Sequence, residues 1–316
     1  MLKLIKLIGF RITSNKAFLL TYLLLIPIVM AMAIYFTNSI SYSMSIGIVG
    51  DVETVDNDSI EYIYLDTMPN TSKLVLSQYD AIIEQTSQGI EVTSTKGQQF
   101  DQTIQLLVSG QIDSLPDNSD QRGTGSNILG FLMMVVSFLG VQIYSYYFYE
   151  RNGINKRILS TSVPCYQYML SHFTVVFGFL FIPAIIVICG SIWIFDIILS
   201  IALWQFILVL LLLCFFATAF GLWINSLSRS LEESMLFGNM FAIAGSIISG
   251  GFVQVTNNEL FNQIVQVLPQ KQIMTALTAL ENNTTIPYIG ISYVLIISIV
   301  LILFAIVIEK RKLSTR

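Results

Sequence analysis

The side chains able to do chemistry are few in this sequence and poorly spaced for it. There is one histidine, His172, and there are three cysteines, Cys165, Cys189 and Cys214. Zinc sites need Cys or His ligands in close pairs, and no such pair occurs. The HExxH metallopeptidase pair, the GxSxG nucleophile elbow and the GxxxxGK[ST] phosphate loop are all absent. Without the last of these the chain cannot cradle ATP in the P-loop manner. His172 reads two ways, as a nucleophile or proton relay, or as a hydrogen-bonded histidine at a membrane interface.

Other polar groups lie inside long apolar runs and are mild: Gln142, Thr218, Asn239, Ser246 and Ser249, with Gly238, Gly245, Gly250 and Gly251 nearby. They read either as lining for a substrate path or as plain helix packing, in which small residues let backbones approach. No Asp, Glu, Lys or Arg interrupts these runs. A carrier coupled to protons or sodium buries such a group at mid-membrane. The pattern therefore points away from self-powered secondary transport and toward a pore or exporter driven from outside the chain.

One charged stretch stands out. Glu150 and Arg151 are followed by an Asn152-Gly153 turn, then Lys156, Arg157, Ile158 and Leu159, and Pro164 closes the segment. A short amphipathic helix there would lie at the membrane surface and face a cytoplasmic partner. Arg151 and Arg157 offer forked contacts to carboxylates. Ile158 and Leu159 could fill an apolar pocket, with the charges at its rim. Glu150 could pair with Arg157. The same composition also makes a simple basic anchor.

These residues must be positioned by a membrane-spanning scaffold. The 316 residues are 54% hydrophobic and 11% charged, with a mean hydropathy of +0.71, whereas soluble domains are about 25% charged. Six stretches reach the length of about 20 apolar residues that a spanning helix needs: 18–36, 128–149, 168–195, 197–224, 235–253 and 286–308. Asp196 leaves only a very short link between the third and fourth, which should form a tight hairpin. Pro27 and Pro183 should kink the first and third spans, and Pro287 stands where the sixth begins. A cleaved leader is the alternative for the first stretch, because Ala31-Met32-Ala33 resembles a cleavage site. The apolar run continues through Ile34, Tyr35 and Phe36, which favours retention.

Basic residues orient the spans. Twelve of the 16 fall on one face: Lys3, Lys6, Arg11, Lys16, Arg151, Lys156, Arg157, Arg229, Lys310, Arg311, Lys312 and Arg316. That face is cytoplasmic, with both termini. The fold class expected is an all-α polytopic membrane protein of six transmembrane helices with a small α+β extracellular domain between the first and second. Residues 1–37 form the cytoplasmic N-terminal segment and first helix, and 38–127 the extracellular domain. Residues 128–316 form a five-helix region with a cytoplasmic coupling loop (150–167), an extracellular re-entrant segment (254–285) and a basic cytoplasmic tail. In the external domain SIGIVGD, YDAIIE and GIEVTST read as strands, with Gln88-Gly89 between the last two. FDQTIQLLVSG has helical spacing, and PDNSDQRGTGSN reads as a linker. In 254–285, Leu260, Phe261, Ile264, Val265, Val267 and Leu268 recur at helical intervals until Pro269 breaks the pattern, which resumes from Ile273 to Leu280. Two short helices dipping into the membrane would satisfy the backbone there.

At the loop after the second span the sequence resembles the ERE-x-G-T-x-K-R-x-L-x-S-T-P segment of ABC-2 type transporter permeases. Glu150, Arg151, Gly153, Lys156, Arg157, Leu159, Ser160 and Thr161 match, and the proline comes late, at Pro164. The end of the fifth span is similar to the family's L-S-G-x-x-x-P followed by L-P-x6-A-L, through Ser249, Gly250, Phe252, Leu268, Pro269, Ala276 and Leu277. The proline usual after the SGG turn is missing. YDAIIE sits where members with a domain between the first two spans have a strand. The resemblance implies a permease subunit of an ATP-binding cassette exporter in the cell membrane, paired with a second permease subunit, alike or different. Separate cytoplasmic ATPase subunits would hold ATP and Mg, with no cofactor or metal in this chain and no nucleic-acid partner. It implies that Glu150, Arg151, Lys156, Arg157, Ile158 and Leu159 couple to the ATPase. Gln142, Asn239, Gly245, Ser249, Gly250 and Gly251 would serve the path or helix packing, and Leu268 and Pro269 the re-entrant turn. The cargo would be an amphipathic or hydrophobic drug, antimicrobial peptide or lipid. The competing class is a membrane-embedded sensor or enzyme whose external domain binds a ligand.

Overall fold

The computed structural model describes residues 1–14, 24–28, 31–32, 44–49, 60–65, 81–86, 89–94, 104–105, 123–150, 157–158, 163–195, 199, 201–250, 263 and 265–314. The chain divides into two compact units, one of residues 36–121 and one of 1–35 with 122–316.

The smaller unit holds a four-stranded sheet of β1 (Met44–Val49), β2 (Ile60–Leu65), β3 (Ala81–Thr86) and β4 (Gly89–Ser94) in the order β2-β1-β3-β4. β1 pairs in parallel with β2 and β3, while β3 and β4 form an antiparallel hairpin. Thr86 faces Gly89 across the hairpin, so Gly89, expected between the strands, belongs to β4. Ala81, Ile82 and Ile83 are all buried in succession, as befits a strand covered on both faces. β2 is an addition to the three strands read from sequence. Its IEYIYL run is rich in β-branched and aromatic residues. Of the helix expected over 100–110, Ile104 and Gln105 are helical and the rest lies outside the described residues.

The larger unit is helical: α1 (Leu2–Ser14), α2 (Thr124–Ile143), α3 (Ser145–Glu150), α4 (Cys165–Phe195), α5 (Leu203–Leu227), α6 (Leu231–Ile248), α7 (Pro269–Glu281) and α8 (Tyr288–Ser314). Among the described residues four helices are long and apolar enough to cross a membrane: Thr124–Phe148, Cys165–Ile194, Leu203–Leu227 and Tyr288–Lys312. They correspond to the second, third, fourth and sixth expected spans. Most of the first lies outside the described residues, where Leu24–Ile28 and Ala31–Met32 are helical.

Helix ends depart from expectation where side chains cap them. α5 starts at Leu203, later than the apolar run, because the Ala202 N–H donates to the Gln205 side chain at 3.1 Å. α6 starts at Leu231, four residues before the fifth apolar run. Ser230 Oγ there accepts the Glu233 N–H at 3.2 Å, and Glu233 Oε2 accepts the Arg229 N–H at 2.8 Å. α6 stops short of residue 253 because Gly250 turns left-handed, at φ 86°. α4 runs through Pro183 without ending. Pro287 precedes α8, and its carbonyl accepts the Ile291 N–H at 3.1 Å.

The core lies between α2 and α5, with α4 supplying an aromatic layer. Phe173 and Phe177 of α4 stack, and both meet Phe215 of α5 edge-on. Outward faces are apolar, as a bilayer requires. At the α4–α5 connection Trp193 and Trp204 are exposed, the position expected of an interfacial aromatic belt. From Tyr166 to Trp193 along α4 is about 40 Å at 1.5 Å per residue, close to the thickness of a bilayer with its headgroups.

Candidate functional site

The site is built on α2, α5 and α6. α2 and α5 run in the same direction and cross where both lack side chains. A Cβ on Gly140 would lie 2.6 Å from the Ala217 carbonyl oxygen, and one on Gly221 would overlap the Gly140 carbonyl. Such an approach requires glycine. Polar side chains at the crossing bond to backbone carbonyls. Asn225 Nδ2 donates to the Gly221 carbonyl at 2.7 Å and the Val141 carbonyl at 3.3 Å. Thr218 donates back to Cys214 at 2.7 Å. Bonded this way, the Thr218 hydroxyl and the Asn225 Nδ2 avoid the penalty of an unpaired donor in hydrocarbon, while Asn225 Oδ1 stays buried without a partner.

α6 turns its small residues inward. Gly238 faces Val141 and Ile224. Ser246 and Ser249 are buried, and Ser249 Oγ donates to the Ser246 carbonyl at 3.0 Å and meets Met133 Sδ at 3.5 Å. Leu236, Phe237, Met240, Phe241 and Ile247 face outward. Asn239 lies at the edge of the buried face, and its Oδ1 is enclosed without a hydrogen-bond partner. Gln142 is half-buried on α2. The structure thus brings Gly245, Ser249 and Gly250 together at one end of α6, with Asn239 two turns away. Gly251 lies outside the described residues.

α7 closes that end. Leu268 precedes it in extended conformation and Pro269 is its first residue, a position where a missing N–H leaves nothing unsatisfied. Three polar side chains of α7 sit in glycine notches on three different helices. Gln270 fills the space at Gly245 of α6, where a Cβ would come within 2.6 Å of Nε2. Gln272 lies against Gly290 of α8, and Glu281 lies against Gly123 and Gly125 at the start of α2. Glu281 accepts the Ser126 N–H at 3.1 Å and also the Ser126 hydroxyl.

The opposite end carries the expected coupling segment. Glu150 ends α3, Arg157 is exposed and helical, and Ile158 is half-buried against the helical core. Arg151, Lys156 and Leu159 lie outside the described residues. His172 is buried, with its ring edge-on to Tyr168 at 4.6 Å and Tyr147 at 5.5 Å, and its Nε2 meets no hydrogen-bond partner. It packs there among aromatic rings. Lys312 of α8 donates to the Ser226 carbonyl at 2.6 Å and the Ser228 carbonyl at 3.3 Å. A cation thus sits on the negative end of α5.

The sequence does not show the contacts of Glu281, Ser126 and Gln270, nor that Lys312, placed on the basic face, caps α5. The GTGSN string, expected to be the end of the linker, instead starts α2 at Thr124, and nothing local links Ser126 to a carboxylate 155 residues away. Among the described residues no group of three His, Cys, Asp or Glu could hold a metal, and all three cysteines are free.

The profile of the ABC-2 family transporter proteins matches residues 50–308. The linearmycin resistance permease protein LnrN of Bacillus subtilis (strain 168) is 28% identical over 189 residues, covering 57% of this chain. The match spans just under half, 46%, of that relative's length.

Proposed function

This chain belongs to the ABC-2 family of transporter proteins, and from that premise we propose that it is the membrane-spanning permease subunit of an ABC exporter. It moves an amphipathic or hydrophobic substrate (a drug, antimicrobial peptide or lipid) outward, driven by ATP hydrolysed on a separate subunit. The observation that carries this reading is the reach of the family match, which takes in three of the four strands and nearly all of the four apolar helices. The relative named for linearmycin resistance supports an antibiotic-like cargo.

Six spans complete the reading: the four long apolar helices, the 18–36 stretch, and α6 with its outward apolar face. The basic residues gathered near α1, the 150–167 loop and the end of α8 support cytoplasmic termini in the cell membrane. A second permease subunit, identical or related, completes the path. The ATPase, holding ATP and Mg, docks on Glu150, Arg151, Lys156, Arg157, Ile158 and Leu159. The test is affinity purification followed by an antibiotic panel. Co-purification of an ABC ATPase and ATP-dependent tolerance to amphipathic compounds are expected. A lone chain that binds or converts a ligand with no ATPase attached would overturn the reading.

A further inference from the structure

The first turn of a helix leaves four N–H groups without intrahelical partners, and a Ser or Asp at the cap position normally satisfies one of them. α2 forgoes this. Its N-cap residue is Gly123, which has no side chain. The acceptor is Glu281, buried at the end of α7 and 155 residues away in sequence. Its carboxylate takes the N–H and hydroxyl of Ser126 and faces the positive end of the α2 dipole. The socket is cut to fit. A Cβ on Gly125 would stand 2.7 Å from Oε1, and one on Gly123 would overlap the carboxylate.

α7 is itself fastened elsewhere. Gln270 is seated at Gly245 of α6 and Gln272 at Gly290 of α8. Gln272 Nε2 donates to the Gln266 carbonyl at 2.6 Å, and the Tyr293 hydroxyl of α8 donates to the Val267 carbonyl at 2.7 Å. The start of α2 is thereby tied to α6 and α8 through one buried carboxylate. The other end of α2 passes through Tyr144 into α3 and reaches Glu150, where the coupling segment starts. A helix joined to the coupling segment at one end and latched by a charge at the other is placed to report motion from one face to the opposite one.

We propose that Glu281 is a positioning residue for transport, a detachable latch that holds the start of α2 on α7 at rest and releases it when the coupling segment moves. This rests on the reading of the chain as an ATP-driven permease.

The experiment uses the full chain reconstituted with its ATPase, and Ser126→Cys as reporter. With Glu281 intact the thiol is shielded, so reaction with a membrane-impermeant maleimide is slow without nucleotide. After trapping with ATP and vanadate it should rise about tenfold or more, the factor that losing a charge-assisted hydrogen bond implies. Adding Glu281→Gln, or Gly125→Ala, whose methyl group would push the carboxylate out, should make labelling fast in both states. Slow labelling in every state would make Glu281 a fixed cap and overturn the proposal. Labelling equally fast in all states, with Glu281 present, would also overturn it. A fixed cap would move melting temperature alone, whereas a latch also makes labelling depend on nucleotide. Failure of the complex to hydrolyse ATP or trap vanadate is a separate result. It would sink the ATP-driven reading, and the latch with it.

Discussion

Gly221 of α5 and Gly140 of α2 meet backbone to backbone, with no side chain between them. The contact sets how closely the two central helices approach, and rigid carbonyl groups bound it on both sides. Gly221→Ala should therefore be destabilising, by about 1–3 kcal/mol for an overpacked core, and should lower the melting temperature in detergent. Gly178 and Gly190 of α4 have nothing within 4 Å of a built Cβ. Alanine there should be neutral, or stabilising by up to about 1 kcal/mol from helix propensity. Equal effects at all three positions would show that the crossing is not tight.

Lys312 should matter through its charge. It caps the last carbonyls of α5 from the end of α8. Being half-exposed, it should contribute about 1 kcal/mol or less. Lys312→Gln should lower the melting temperature, and high salt should shrink the difference between Gln and the parent. Lys312→Arg should retain most of the stability.

Topology is testable by cysteine labelling in intact cells. Asn283 is exposed at the end of α7, whereas Ser14 and Ser230 are exposed near α1 and at the start of α6. Asn283→Cys should react with an impermeant maleimide, and Ser14→Cys and Ser230→Cys only after permeabilisation. External labelling of Ser230→Cys would contradict six spans with cytoplasmic termini.

The coupling segment makes its own prediction. Arg157 is exposed and Ile158 half-buried against the helices, and the proposed docking contact uses Ile158 and Leu159. Leu159→Asp should weaken ATPase docking by about 3–5 kcal/mol, the penalty of an unpaired buried charge, while membrane insertion persists. Pull-down and ATP-dependent tolerance at parental level would reduce the segment to a topological anchor.

Apolar length made the four long helices legible, because about 20 uncharged residues in a row have few other uses. Element ends were less so. α6 begins at Leu231 through the reciprocal caps of Ser230 and Glu233, a Ser-x-x-Glu signature present in the sequence but outside the apolar run. β2 is short and lies between acidic, turn-rich flanks that mask its strand pattern. The inward direction of Gly238, Gly245 and Ser249 followed from neither composition nor period, since the same residues suit a pore and a packed seam. Their notches are complementary to Val141, Gln270 and Met133, partners far away in sequence. Contacts of that kind, like Glu281 on Ser126, become visible only once the chain is folded.

The distance along the chain between Glu281 and Ser126 also sets a clock. A ribosome adding about 5–20 residues per second would take roughly 8–30 seconds to cover the 155 residues from one to the other. During that interval α2 is already made and Ser126 lacks the carboxylate that it later bonds. Lys312 repeats the arrangement at α5, 86 residues after the carbonyl it caps. Both fastenings are supplied from the C-terminal side, so a nascent chain halted before α7 holds its central helices together by their own packing, the Gly140–Gly221 crossing and the Asn225 bond to Val141 included, without either fastening. Ribosome stalling or premature termination late in the message would therefore leave an inserted but unfastened bundle, a ready substrate for membrane proteases.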